Sequence, residues 1–574
     1  MCKNSLLFIK LFFFLSFSFI YCFIGFILFF PILRATSVLF PYSIHPFDFC
    51  ISYPVFWKNF KICFVLFYFF SSLIYSKIFT RFLFSKIKFS STISNISPHS
   101  SSNPNLNLLI GKIINSNQYI RIGEKSLYQN ILITGTIGSG KTSSAIYPFA
   151  EQLISYECNH PDKKLGILCL DVKGNFVDQI KNYATQFNRD SDLIIIGLDS
   201  SETYNPLDKP NLKPSVLANR LKTILTLFSP NNSESYWLDK VEEILAEAIK
   251  LCRLYNNSYV TFEEIHKLIN DKTYYTQKIE TLRYSFLQNQ LLESQIYDLL
   301  SAINFFEKEF FSLDDRTNAI LKSEITRITN CFISDYEILK LFSPPQNKIT
   351  FYGFEDLLKS GKIVVLSMNL AQYRNLSKII ASYLKLDFQT EVMQRLKTEP
   401  STTMRPVCFI CDEYHEYVTS TDSDFFAQSR ESKCINIVAT QSYSSLLHTL
   451  NNEYTVKVII QNLINKLWFR SDDIYTIESA QKLIGKEEKE KRSTTIAENA
   501  RETNYSYFLH GFHSQNSNLS ESINTYYQTD YIFDVNTFTQ NLETFSCIAF
   551  LSDGNKILHP CKLKMIPYFE KMKS

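Results

Sequence analysis

The stretch from Gly135 to Thr142 constrains this chain more than any other. Gly135-Thr-Ile-Gly-Ser-Gly-Lys141-Thr142 fits G-x-x-x-x-G-K-[ST] at every fixed position. It directly follows Gln129-Asn-Ile-Leu-Ile-Thr134, an apolar run that reads as a short buried strand. Glycine is scarce, 14 of 574 residues or about 2.4%, against a usual ~7%. Three of those glycines nevertheless fall within six positions. A loop that turns back so that successive backbone N–H groups face a phosphate has no room for side chains, which accounts for the cluster. The helix expected next adds its positive N-terminal end. In this reading Gly135, Thr136, Ile137, Gly138, Ser139, Gly140, Lys141 and Thr142 cradle the phosphates of a nucleotide. Lys141 reaches the β/γ-phosphates, and Thr142 places its hydroxyl on Mg²⁺.

Such a loop needs an acidic partner. Val407-Cys-Phe-Ile-Cys-Asp412-Glu413 supplies one, an apolar strand ending in two adjacent carboxylates. Asp412 can hold the Mg²⁺ shell, and Glu413 can polarise an attacking water. A strand followed by a solvated acidic turn is the plain alternative, and the loop upstream weighs against it. Gln441 follows the strand Ile435–Ala439, where an amide would face a γ-phosphate. Arg430, between the two strands, can be offered to a neighbouring subunit as an arginine finger. From spacing alone, a solvated strand end and a surface cation remain open for these two. Cys408 and Cys411 form a C-x-x-C, but they sit inside the apolar strand with no second pair at zinc spacing. The 13 cysteines read as reduced core thiols.

Short β runs at Leu165–Leu170, Asp192–Leu198, Ile363–Met368, Val407–Cys411, Ile435–Ala439 and Lys466–Phe469 alternate with helical stretches. That is the pattern of a mostly parallel sheet in an α/β fold. From about Pro214 to Ser334 strand-like alternation stops. Leu238, Val241, Ile244, Leu245, Ala248 and Leu251 recur there at helical spacing, which predicts an inserted all-α domain.

The net charge of +3 averages two unlike regions. Residues 1–90 hold nine Lys or Arg against Asp48 alone, a net of +8; the remainder has 50 basic and 55 acidic residues, a net of −5. Leu11 to Phe30 carries no charge and is long enough to cross a ~30 Å hydrocarbon core. A cleaved signal peptide would be shorter and end at small residues, whereas this run meets Pro31. A second span covers about 62–82. Lys77, Arg81, Lys86 and Lys88 follow it, so both termini are expected in the cytoplasm. Residues 1–84 thus read as a two-helix transmembrane hairpin, and 85–107 as a Ser/Asn-rich linker. A first ATPase segment is expected at 108–213, the all-α domain at 214–335, and a second ATPase segment with C-terminal strands at 336–574. No basic run or aromatic-plus-basic platform stands out in the body, so a general nucleic-acid coat is excluded.

Taken together, these residues resemble the membrane-anchored coupling proteins of type IV secretion and conjugation (TraG/TraD type), within the HerA/FtsK superfamily of P-loop ATPases. Besides the hairpin and the loop, the resemblance rests on Asp171-Val-Lys173-Gly174, on Tyr204-Asn205-Pro206-Leu207 and on Tyr236-Trp237-Leu-Asp239. It continues through Asp412-Glu413, Arg430 and Gln441 in order, and on Cys547–Leu551, Asp553-Gly554 and Lys562–Phe569. Asp412-Glu-Tyr-His-Glu416 departs from the family's usual pattern, and Lys486 to Asp530 aligns poorly. The resemblance implies a RecA-like ATPase domain interrupted by an all-α domain, with ATP and Mg²⁺ as cofactors. It further implies a homo-hexameric ring at the cell inner membrane, multi-pass, with the ATPase body in the cytoplasm. The implied work is ATP-driven translocation of relaxase-linked single-stranded DNA, or of protein effectors, into a type IV secretion channel. In that scheme Lys141, Glu413, Arg430 and Gln441 are catalytic, and Thr142 and Asp412 hold the metal. Two alternatives stand beside it: an FtsK-like chromosome pump or helicase, and a non-hydrolysing membrane receptor that recruits secretion substrates.

Overall fold

The computed structural model describes residues 106–570 except 115, 117, 172–175, 199, 228–234, 289, 369, 401–402, 499–504, 507–510 and 513–518; before them it describes 15–16, 18–20, 55, 58–59, 62–72 and 74. Two compact units result, Met1–Ser94 and Asn95–Ser574.

The larger unit is built on one sheet. Its strands are β1 (Asn107–Ile113), β2 (Tyr119–Gly123), β3 (Ile131–Thr134), β4 (Gly166–Leu170), β5 (Leu193–Gly197), β6 (Ile363–Ser367), β7 (Val407–Cys411), β8 (Cys434–Thr440) and β9 (Asn465–Phe469). Beyond a separate ribbon of β10 (Lys486–Glu498), β11 (Tyr505–Ser506), β12 (Gly511–Phe512) and β13 (Leu519–Tyr531), the sheet is completed by β14 (Ser546–Phe550) and β15 (Cys561–Lys564). The eleven strands run β2-β1-β15-β14-β9-β3-β8-β7-β4-β6-β5. From β9 to β5 every pairing is parallel. From β9 through β14, β15 and β1 to β2 every pairing is antiparallel.

The parallel strands read as unbroken apolar runs because both faces are covered. Side chains alternate between faces with period two. Leu132, Leu168, Leu170, Val407, Phe409 and Cys411 enter one core cluster. Their neighbours Ile131, Ile133, Ile167, Cys169, Cys408 and Ile410 enter the other. The C-x-x-C cysteines are therefore divided between opposite faces of the sheet, where burial pushes both thiols well above their ordinary range. This position makes them packing residues.

Among the described residues, seven α-helices from Pro214–Thr226 to Tyr336–Phe342 and one short π-type turn lie between β5 and β6, with no strand between 214 and 342. Side-chain caps set several of their starts. Thr261 and Glu264 form a reciprocal capping box, and Asp271, Asp314 and Asp335 accept backbone N–H groups at the next three helices that carry caps. The chain enters this helical region through Tyr204-Asn205-Pro206-Leu207. Asn205 accepts from Leu207 N at 3.0 Å and donates to Val260 O at 2.8 Å, so a short polar side chain fixes the bend.

The long helix Leu370–Gln394 carries fully buried charge. Asp387 meets Lys209 and Arg220, each at 2.8 Å, and the Tyr204 hydroxyl at 2.8 Å. Two residues earlier, on a different face of the helix, Lys385 Nζ lies 2.6 Å from an Asp422 oxygen, with both side chains wholly excluded from solvent. Asp422 also accepts from Tyr414, Gln389 and Thr419.

The region that aligned poorly forms the ribbon. Its long strands pair in continuous antiparallel register from Lys486↔Tyr531 to Glu498↔Leu519, outside the main sheet. In the N-terminal unit, residues 62–72 are helical, and the Tyr68 hydroxyl donates to Ser18 Oγ at 3.0 Å. Among the described residues no helix is long and apolar enough to cross a membrane. Much of the expected 11–30 span, residues 75–82, most of the 85–107 linker and Lys173-Gly174 lie outside the described residues.

Breaking one half of the Lys385–Asp422 pair strands a buried charge. Lys385→Met is expected to cost about 3–5 kcal/mol in equilibrium denaturation, and Lys385→Met with Asp422→Leu is expected to recover much of that loss.

Candidate nucleotide site

Parallel pairing of β3 with β8, and of β8 with β7, brings three strand ends to one edge of the sheet. The loop Gly135–Lys141 leaves β3 at this edge. Asp412 and Glu413 leave β7 there, and Gln441 leaves β8. Backbone bonds tie the pieces together: Gly135 N–H donates to Gln441 O at 3.2 Å, and Asp412 N–H to Leu170 O at 3.1 Å.

The loop has the shape its glycines anticipated. Gly138 and Gly140 have φ of 78° and 96°, values that favour glycine. Lys141 is buried, and its ammonium donates to the carbonyls of Gly135 at 2.5 Å and Thr136 at 3.2 Å. The helix after the loop starts with a widened turn, Thr142–Ile146, before regular α-helix from Tyr147 to Ser155. Ser144 Oγ donates to Gly140 O at 2.7 Å within that turn.

Thr142 Oγ1 donates to Asp412 Oδ2 at 2.7 Å, joining residues 270 positions apart. The other Asp412 oxygen accepts the Glu413 N–H at 2.9 Å. Glu413 is buried with φ of 48°, a left-handed conformation that costs a side-chain-bearing residue about 1–2 kcal/mol. Gln441 Nε2 donates to Glu413 Oε2 at 3.3 Å. Five expected residues, Lys141, Thr142, Asp412, Glu413 and Gln441, are thus brought together.

Arg430 is not among them. It lies exposed in the turn before β8, at the opposite end of that strand from Thr440. Six residue steps at ~3.3 Å put it roughly 20 Å from the loop. From there its side chain does not reach the Gly135–Lys141 loop of its own chain.

Three further residues were given no role at the site by the sequence. Asp171, at the end of β4, is buried and accepts the Phe176 N–H at 3.2 Å. Tyr147 feels this carboxylate and that of Asp412. Burial first, and then these two charges, push its phenol up to about 12. His415 lies 3.8 Å from Glu413 Oε2 and 3.7 Å from Glu416 Oε1, and its Nδ1 is 3.3 Å from Thr440 Oγ1. Glu416 in turn pairs with Lys378. Burial lowers the His415 pKa, outweighing the two glutamates that act to raise it. In the sequence this histidine stood out only within Asp412-Glu-Tyr-His-Glu416, where the chain departs from the family's usual pattern.

No family model matches the sequence, and no curated protein matches it. Solved structures do resemble the fold. The bacterial conjugative coupling protein TrwBΔN70, in an unbound monoclinic form, aligns over 80% of this chain and 89% of its own, with TM-score 0.51 and 11% identity. TrwB in complex with the non-hydrolysable GTP analogue GDPNP aligns over 82% and 97%, with TM-score 0.51 and 12% identity. VirB4 of Thermoanaerobacter pseudethanolicus aligns over 81% and 97%, with TM-score 0.43 and 13% identity. The chain has the fold of the conjugative coupling protein TrwB.

The histidine carries a pH prediction. Its pKa in the folded chain lies below the ordinary 6.5, so the unfolded chain takes up the proton first as pH falls. Stability should therefore drop as pH falls below about 6.5. Urea denaturation at pH 7.5 and pH 5.5 should show a smaller difference for His415→Gln than for the parent chain.

Proposed function

We propose that this chain is an ATP-driven motor that couples DNA, or a nucleoprotein or effector cargo, to a type IV secretion or conjugation channel. The observation that carries the reading is the Thr142–Asp412 contact, with Glu413 and Gln441 beside it, on a fold shared with TrwB.

The donor set suits a hard cation: a hydroxyl and a carboxylate adjacent to a phosphate-binding loop are what Mg²⁺ takes alongside phosphates and water. Thr142 and Asp412 would hold the ion, which when bound neutralises charge on the β- and γ-phosphates. Lys141, positioned on the loop carbonyls, supplies a second positive charge at the same place. Glu413 is the base that orients and polarises the attacking water, held in place by its contact with Gln441. Gln441 holds that carboxylate and, through its own carbonyl, contacts the first residue of the loop. It is suited to report whether a γ-phosphate is present. Arg430 can act only from an adjacent subunit, which fits a homo-hexameric ring with a site at each boundary.

The membrane hairpin belongs to the same proposal. Val65, Leu66, Phe67, Phe69, Phe70 and Ile74 are exposed large hydrophobics on the helical residues 62–72 and 74, a surface suited to lipid. Residues 1–84 would anchor the chain in the inner membrane as a multi-pass protein with the body in the cytoplasm.

Full-length chain in detergent should hydrolyse ATP faster with single-stranded DNA than without it. Glu413→Gln should lower kcat by about 10²–10⁴-fold, and Lys141→Ala should abolish turnover. Turnover equal in the parent and both variants would remove the motor reading and favour a receptor. For Arg430, mixing Arg430→Ala subunits with Glu413→Gln subunits should restore part of the activity. An absence of rescue would remove the role in the adjacent site.

A further inference from the structure

We infer that the nucleoside end of the bound nucleotide is seated on an aromatic wall built by Phe545 and Phe569, which flank the C-terminal strands β14 and β15, with Tyr568 behind them. The inference deepens the nucleotide reading above and rests on it.

Topology gives the side. β3, which feeds the loop, lies between β8 and β9. The β8–β7 side carries Gln441, Asp412 and Glu413, the groups suited to the metal and the γ-phosphate. A triphosphate laid along the loop with its γ end there directs its nucleoside toward the other side, where β9, β14 and β15 lie. Phe545 immediately precedes β14. Because β14 runs antiparallel to β9, with Cys547 opposite Phe469, Phe545 stands at the same sheet edge as the loop.

Phe545 is built into the loop itself. Its N–H donates to Ser139 O at 3.1 Å. A Cβ placed on Gly140 would lie 2.4 Å from Phe545 Cδ1, so the ring packs directly on the loop backbone and excludes any side chain at that position. Phe545 has φ of 63°, an unfavourable left-handed conformation for an aromatic residue. Strain of this kind is retained where the surroundings over-determine it, commonly at ligand sites.

The segment after β15 is strapped across the same place. Met565 N–H donates to Phe545 O at 2.7 Å, and Tyr568 N–H donates to Ser143 O at 3.0 Å, on the residue next to Thr142. The rings continue the series. Tyr147 stacks on Phe176 at 5.4 Å and meets Tyr568 edge-on at 5.3 Å. Tyr568 meets Phe569 at 5.4 Å, and Phe569 meets Phe545 at 5.8 Å and 71°. The inner rings are wholly or partly buried, whereas Phe569 is 44% exposed. A large apolar ring is thus held open beside a phosphate loop by two backbone hydrogen bonds in its own strap. Base stacking on such a ring is tolerant of base identity, because every base has a π face. The wall would accept adenine and guanine nucleotides alike.

The test uses the full chain in detergent with Mg²⁺ and two probes, ATP and inorganic tripolyphosphate, which has the phosphates without a nucleoside. Phe569→Ala should weaken ATP by roughly 5- to 100-fold, the range of one lost stacking partner, and leave tripolyphosphate unchanged. Phe569→Trp should keep ATP affinity, and its indole fluorescence should respond to ATP and GTP but not to tripolyphosphate. Lys141→Ala should weaken both probes. Unchanged ATP affinity in Phe569→Ala, or equal weakening of both probes, would overturn the wall while the Lys141 effect keeps the nucleotide site. A parent chain that binds neither probe would overturn the nucleotide site and the wall with it.

Discussion

One hydrogen bond, Thr142 Oγ1 to Asp412 Oδ2, depends on nearly everything else in the larger unit being in place. Its partners are 270 positions apart, and neither is on a flexible connection. Thr142 opens the helix after β3, and Asp412 immediately follows β7, with β8 between them as a shared ladder. A slip of one residue in either register would turn every side chain to the opposite face. Both faces are packed, with alternate residues divided between two core clusters, so the register is specified by the burial of β3, β7 and β8. The contact is set by the sheet.

The same logic explains the long helix Leu370–Gln394. Along one stretch it pairs Lys378 with Glu416, Lys385 with Asp422, and Asp387 with Lys209 and Arg220. Glu416 and Asp422 belong to the segment that leaves the acidic strand end, while Lys209 and Arg220 belong to the entry into the helical region. Buried ion pairs contribute little net stability compared with apolar packing, yet breaking one is costly. Their effect here is therefore orientation. The helical region and the segment beside Glu413 are indexed to a single helix, and relative motion must either carry that helix along or strand a buried charge.

The parallel strands and the loop were legible because their physics is local: unbroken apolar runs, a glycine cluster, two carboxylates at a strand end. The strands Leu165–Leu170 and Val407–Cys411 needed at most one residue of adjustment. The antiparallel half was less legible. β1 and β2 precede the loop in sequence but join the sheet through β15, near the other end of the chain, and no periodicity announces a partner 450 residues away. His415 and Asp171 were quoted in sequence motifs, but a place at the site was not legible for them, because their neighbours come from other strands. Arg430 was found by its order in the chain, and the structure added what order could not, that it stands on the far edge.

That far-edge position has a consequence for how the site is divided. The strand ends of one chain gather the lysine, the hydroxyl, both carboxylates and the glutamine at one edge, and β8 holds Arg430 at the other. In a parallel sheet the loops preceding and following a strand are separated by the strand's whole length, so no local rearrangement brings Arg430 across. In the proposed motor a single copy would therefore carry two incomplete halves of an ATPase centre on opposite edges of one sheet. Juxtaposing copies edge to edge would complete them, which makes assembly a condition of full catalysis in the proposed motor.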